Sequence, residues 1–355
     1  MTESEKVTIK VDYNDTFDPV IDNDKCLGTF PFTKIFQEVG IYKFLKQQQL
    51  RLKVDDSFTS ILELLVFGRL LIPCSDKTTY EQRDFLFDSK YMNISFDDIN
   101  DALNHFNKYK DALQKLIWKN TRKLYSRDVS TCYCYITSYS FQSKSKDPGH
   151  NIHMGLVMDG TGIPLAYEFL SENNSNQTAL IQKFKLEYGA KKVIIVESSD
   201  FDSLSPIVYN DHKEKRKLSN QEIKDIIRTT QRIKDAFQVS KSSIKEYPIY
   251  AWDLNHINAH FLTSYLALVV ITLLKKKLND QYSSDEILDA LRNYKCSPLN
   301  ANYYLVSHKD AFIDIIGNAF DLDLSLKNMS REFIEDLLTQ QAKDSMILTT
   351  MTLNE

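Results

Sequence analysis

A small number of residues have types and spacings that could bind a metal ion. His256 and His260 are four residues apart in a predicted helix, a spacing that can bring both rings to one metal. The HExxH pattern is absent, however, so a packed histidine pair is the favoured interpretation. Asp200 and Asp202 follow the apolar run at residues 193–196. If that run is a strand, both carboxylates come near its end, where they could hold a hard cation that prefers oxygen ligands.

Other side chains that could do chemistry fit structural roles better. Asp159 is followed by Gly160 between two apolar runs, which predicts a hairpin turn and a surface position for the aspartate. Cys132 and Cys134 are separated by one residue, which is not a CxxC spacing, so strand packing is expected. The sequence has no GxSxG, Walker-type or Rossmann glycine pattern. These absences argue against the hydrolases and nucleotide-binding proteins that such motifs mark.

The composition is that of a globular protein. The chain has 355 residues, 43% of them apolar and 26% charged, which is enough for two or three domains. The apolar stretch at residues 261–274 contains Thr263 and Ser264 and predicts a buried helix, so no membrane contact is expected. The polar N-terminus predicts no signal peptide. Five irregularly spaced cysteines suit a reducing cytoplasm, and we expect a cytoplasmic protein.

The charge balance bears on nucleic-acid binding. Proteins that hold duplex DNA usually carry a basic excess, because neutralising phosphates supplies much of their affinity. This chain has a net charge of −4, with basic runs at residues 119–123, 213–217 and 275–277. Each run alone is more typical of a solvated surface. The charge therefore weighs against strong DNA binding.

The order of predicted elements indicates an α/β fold. Helical patterning covers most of the first 125 residues. Residues 130–142, 153–158 and 163–170 then predict three strands, and a helix at 177–188 leads to a fourth strand at 193–196. Three strands, a helix and a fourth strand are the ribonuclease-H-like layout, a mixed sheet flanked by helices. Helical patterning returns at 220–246, at 255–278 and from Ser283 onward.

This pattern divides the chain into three predicted domains. Residues 1–126 form a helical N-terminal domain. Residues 127–280 form the ribonuclease-H-like core, with a short polar link after the fourth strand. Residues 281–355 form a helical C-terminal region in which Pro298 and Asn302 mark breaks.

Several stretches follow one another in an order that chance rarely produces. Residues 69–75 are RLLIPCS, residues 154–166 are MGLVMDGTGIPLA, and residues 260–262 are HFL. In this order they resemble insertion-sequence transposases of the DDE type, in the subgroup with a Tyr…Arg…Glu…Lys signature helix. The stretch at 154–166 is the most specific match, and the resemblance covers residues 25 to 295 approximately.

The resemblance implies a DNA-processing function. Members of this family bind DNA and carry out transposition, a form of DNA recombination. Two magnesium ions between three carboxylates activate the attacking oxygen and stabilise the leaving one. The resemblance thus implies magnesium as cofactor and DNA as partner, with a homo-oligomer as a further expectation.

The acidic positions of the family are substituted in this sequence. They fall on Tyr135, Ser198 and Lys234, and of the signature helix only Lys241 persists. A neutral phenol, with a pKa of about 10, is a poor magnesium ligand. An ammonium group repels a dication. Only Glu197, one residue before Ser198, could still bind a metal at an equivalent place.

Three hypotheses remain open from the sequence. The first is a degenerate transposase relative that neither cleaves nor joins DNA and holds no magnesium. The second is a retained module that binds DNA or an active transposase. The third is an active nuclease that uses Glu197 together with Asp200 or Asp202.

Overall fold

The computed structural model describes residues 24–52, 57–72, 76–141, 150–170, 175–197, 254–300 and 302–339. Within these ranges the chain has a mixed α/β fold, as predicted. The helices, in chain order, are α1 (Phe30–Glu38), α2 (Ile41–Leu52), α3 (Ser57–Leu71), α4 (Asp76–Glu81), α5 (Phe96–Phe106), α6 (Lys110–Leu124), α7 (Ser175–Tyr188), α8 (Leu254–Lys277), α9 (Ser284–Arg292), α10 (Phe312–Asn318) and α11 (Arg331–Thr339). The strands are β1 (Lys25–Cys26), β2 (Thr131–Phe141), β3 (His150–Met158), β4 (Pro164–Leu170), β5 (Lys192–Glu197), β6 (Lys295–Asn300), β7 (Tyr303–His308) and β8 (Asn328–Ser330).

The first sheet has the strand order β4-β3-β2-β5. Strands β2, β3 and β4 pair antiparallel, and β5 returns after α7 to pair parallel with β2. A parallel return requires a crossover connection, which α7 supplies. The predicted order of three strands, a helix and a fourth strand is therefore confirmed.

The two faces of this sheet pack against different partners, because successive side chains of a strand alternate between faces. On one face Cys132 and Cys134 belong to a small apolar cluster with Phe184 of α7. On the other face Tyr133 and Tyr135 belong to the large apolar core. The sheet is consequently covered on both sides.

Helix α8 is the centre of the large core. It contacts α1, α3, α5 and β4. In the part of the chain that the structure describes, it is the one helix long and apolar enough to cross a membrane, but 94% of its most apolar window is buried inside the protein. This burial is typical of the core helix of a soluble protein, and the buried helix predicted at residues 261–274 is confirmed.

The C-terminal region, predicted to be helical, contains strands as well as the helices α9, α10 and α11. Strands β6, β7 and β8 lie there and form a second sheet with β1, in the order β1-β6-β7-β8. Cys26 pairs with Lys295, far away in the sequence, and short strands held by such distant pairing leave little local signal. Pro298, interpreted as a break, lies within β6 beside a register shift, where its missing N–H is tolerated.

Local signals account for several helix boundaries. Ser95 and Asp98 form a reciprocal capping box at the start of α5, and Ser283 with Glu286 forms another at α9, as expected for these residue types. Helical patterning is continuous over residues 32–50, but α1 and α2 are separate helices. Gly40 lies between them with φ of 79°, a left-handed conformation that ends a helix.

Candidate functional site

Tyr135, the position that the family resemblance assigns to the first acid, lies in the middle of β2. Its backbone pairs with Leu156 of β3 and with Val196 of β5. The residue is 4% exposed and belongs to the large apolar core, together with Leu156 and Ile194. Tyr135 is therefore a core residue between the first sheet and the helices.

The second position of the family site comes directly after β5. This strand ends at Glu197, whose backbone pairs with Ile136. Alternation along a strand assigns position 197 and Tyr135 to opposite faces of the sheet. A substitute ligand at position 197, one residue before Ser198, would therefore belong to the opposite face of the sheet from Tyr135.

The remaining candidate residues lie outside the described ranges. These are Ser198, Asp200, Asp202, Lys234 and Lys241. Among the residues that the structure does describe, no group of three or more His, Cys, Asp or Glu side chains is placed to hold a metal ion. The structure therefore brings Tyr135 and the end of β5 together, and the other positions stay predictions.

Asp159 is buried, so the surface position expected for it is wrong. Its Oδ1 accepts hydrogen bonds from the backbone N–H of Thr161 (3.0 Å) and Ile163 (2.9 Å) and from the Thr161 hydroxyl (2.6 Å). Its Oδ2 accepts a hydrogen bond from Arg127 Nε at 2.6 Å. Both side chains of this ion pair are fully buried. The carboxylate stabilises the β3–β4 turn and is not available to a metal.

Arg127 is the residue of this network that the sequence did not reveal. Its Nη1 donates to Thr121 Oγ1 at 2.8 Å, and its Nη2 donates to the carbonyl oxygens of Ile163 (2.9 Å) and Pro164 (3.0 Å). The guanidinium carbon lies 4.9 Å from the centre of the Trp118 ring. Arg127 thereby ties α6 to the β3–β4 hairpin. It lies in an irregular segment, where no periodic pattern indicates burial.

Asp128 also has a local structural role. Its Oδ1 accepts a hydrogen bond from the backbone N–H of Ser130 at 2.8 Å, and its carbonyl oxygen accepts one from the N–H of Gly160 at 2.8 Å. Hydrogen bonds from the side chain and backbone of Ser130 lower the pKa of Asp128. These bonds fix the start of β2 against the hairpin turn.

His260 is packed between α8 and α3, as the sequence interpretation favoured. Arg69 Nη2 donates to His260 Nδ1 at 2.8 Å and to Asp76 Oδ1 at 2.9 Å, and Arg69 Nε donates to Thr263 Oγ1 at 2.9 Å. His260 Nδ1 is therefore an acceptor already in use. Together with its burial, this removes the i, i+4 pair with His256 as a metal site.

The buried histidine predicts a loss of stability in acid. Burial, and then the charge of Arg69, lowers the pKa of His260 well below its ordinary 6.5. Below pH 6.5 His260 binds a proton in the unfolded chain but not in the folded chain. The free energy of unfolding therefore decreases as the pH is lowered, by up to about 1.4 kcal/mol per pH unit. We expect His260→Gln to reduce this slope in urea unfolding between about pH 7 and about pH 5. An unchanged slope would contradict this assignment.

The cysteines within the described ranges are packing residues. Cys26, Cys132, Cys134 and Cys296 are all free thiols in buried positions. Burial raises the pKa of Cys132 to about 12, so this thiol is not a nucleophile near neutral pH. The strand packing expected for Cys132 and Cys134 is confirmed.

No protein-family model, curated protein or solved structure matches this chain. The likeness to DDE transposases consequently depends on the sequence motifs alone.

Proposed function

We propose that this chain is a transposase-related protein with a ribonuclease-H-like core that no longer cleaves or joins DNA. In this proposal the first sheet is the former catalytic sheet, and the two-magnesium site has been lost with its three acids. The proposed partner is DNA or an active transposase copy. The net charge of −4 predicts that any DNA binding is weak and sensitive to salt.

The strand order supports the ribonuclease-H-like assignment. Three antiparallel strands, a crossover helix and a parallel fourth strand beside the first give the order β4-β3-β2-β5. In this arrangement the middle of β2 and the end of β5 are neighbours: Tyr135 is paired with Val196, two residues before Ser198. Tyr135 thus lies beside the end of the strand that precedes Ser198 in the sequence, as the proposal requires.

One observation carries the proposal of inactivity: Tyr135 is 4% exposed within the apolar core. Magnesium keeps several of its waters when it binds to proteins, and a dication in an apolar environment needs anionic ligands to offset the loss of hydration. A phenol packed among Leu156 and Ile194 provides neither water nor charge. The position has become part of the packing that stabilises the sheet.

The nuclease alternative is weaker for a geometric reason. It needs Glu197 to take over beside Tyr135, but the β2–β5 register pairs Glu197 with Ile136, whose side chain packs against the α7 cluster. A metal site built around Glu197 would lie on the α7 face. It would therefore differ from the site that the family resemblance implies.

A plasmid-nicking assay tests the proposed inactivity. The purified chain is incubated with supercoiled plasmid in magnesium, and separately in manganese, with EDTA controls. We expect no nicking above the EDTA background. Metal-dependent nicking that is lost in Glu197→Ala but retained in Lys191→Ala, an exposed position beside the other end of β5, would overturn the proposal and favour the nuclease. A gel shift on the same preparation separates an inactive DNA-binding protein from one that does not bind DNA.

A further inference from the structure

We draw no further inference here: the strongest candidate, the buried polar cluster of Arg69, Asp76, His260 and Thr263 between α3 and α8, has two donor atoms without a hydrogen-bond partner, Arg69 Nη1 and His260 Nε2, but both are closed off from solvent by packing and nothing in the described residues indicates a ligand or space for one.

Discussion

Replacing Arg127 by methionine is expected to lower the free energy of unfolding by about 3–5 kcal/mol. The substitution keeps much of the side-chain length but leaves the Asp159 carboxylate buried without its counter-charge. It also removes the donors to the carbonyl oxygens of Ile163 and Pro164. Urea unfolding of the full chain, followed by circular dichroism, measures the change.

Two controls separate the buried ion pair from a general effect of losing an arginine. Arg331→Met removes an arginine from an ion pair with Glu335 in which both side chains are largely exposed, and we expect a change of about 1 kcal/mol or less. The double variant with Arg127→Met and Asp159→Asn should lose less than the sum of the single variants, because neither charge is left alone. A loss for Arg127→Met as small as that for Arg331→Met would show that the network is not structural.

An acid in place of Tyr135, the position that the family resemblance assigns to the first acid, is expected to destabilise the protein without creating a metal site. Tyr135→Asp removes a large buried ring and places a carboxyl group in the apolar core. We expect the free energy of unfolding to fall by about 4–5 kcal/mol or more. Tyr135→Phe keeps the ring and should cost about 1 kcal/mol, the typical value for one hydrogen-bonding hydroxyl.

Magnesium gives this prediction a second readout. A ligand that binds only the folded state raises its apparent stability. If Tyr135→Asp rebuilt a metal site, magnesium would raise the melting temperature of that variant but not that of Tyr135→Phe. We expect equal melting temperatures with magnesium and with EDTA for both variants. A selective increase in Tyr135→Asp would mean that a cation can bind beside position 135.

The parts of the fold that the sequence predicted are those that depend on neighbouring residues. Ser95 and Asp98 are three residues apart and cap α5 through a reciprocal pair of hydrogen bonds, which is visible as a local pattern. Asp159 and Gly160 lie in the turn between β3 and β4. An aspartate–glycine pair between two apolar runs is a local signal for such a hairpin. The long apolar run of α8 likewise indicates a buried helix by itself.

The parts that it did not predict depend on contacts between distant residues. Strand β1 consists of Lys25 and Cys26 and is defined by its pairing with Lys295 and Cys296, so no local periodicity could indicate it. Asp159 was expected at the surface because hairpin turns usually are. Its burial follows from Arg127, which comes from a segment 32 residues earlier in the chain.

The candidate site divides in the same way. The family resemblance assigned its three acidic positions to Tyr135, Ser198 and Lys234. The structure shows that Tyr135 is buried. The sequence could not say which face of the sheet position 197 occupies, because that depends on the register between β2 and β5. This register pairs Tyr135 with Val196 and Ile136 with Glu197.

The central proposal is that the first sheet does not hold the pair of metal ions that the family resemblance implies. Binding of Mn²⁺ to the full chain, followed by electron paramagnetic resonance, tests this claim directly, because manganese occupies magnesium sites and bound and free ions are distinguished. We expect no stoichiometric binding. Any stoichiometric binding that magnesium displaces would contradict the account.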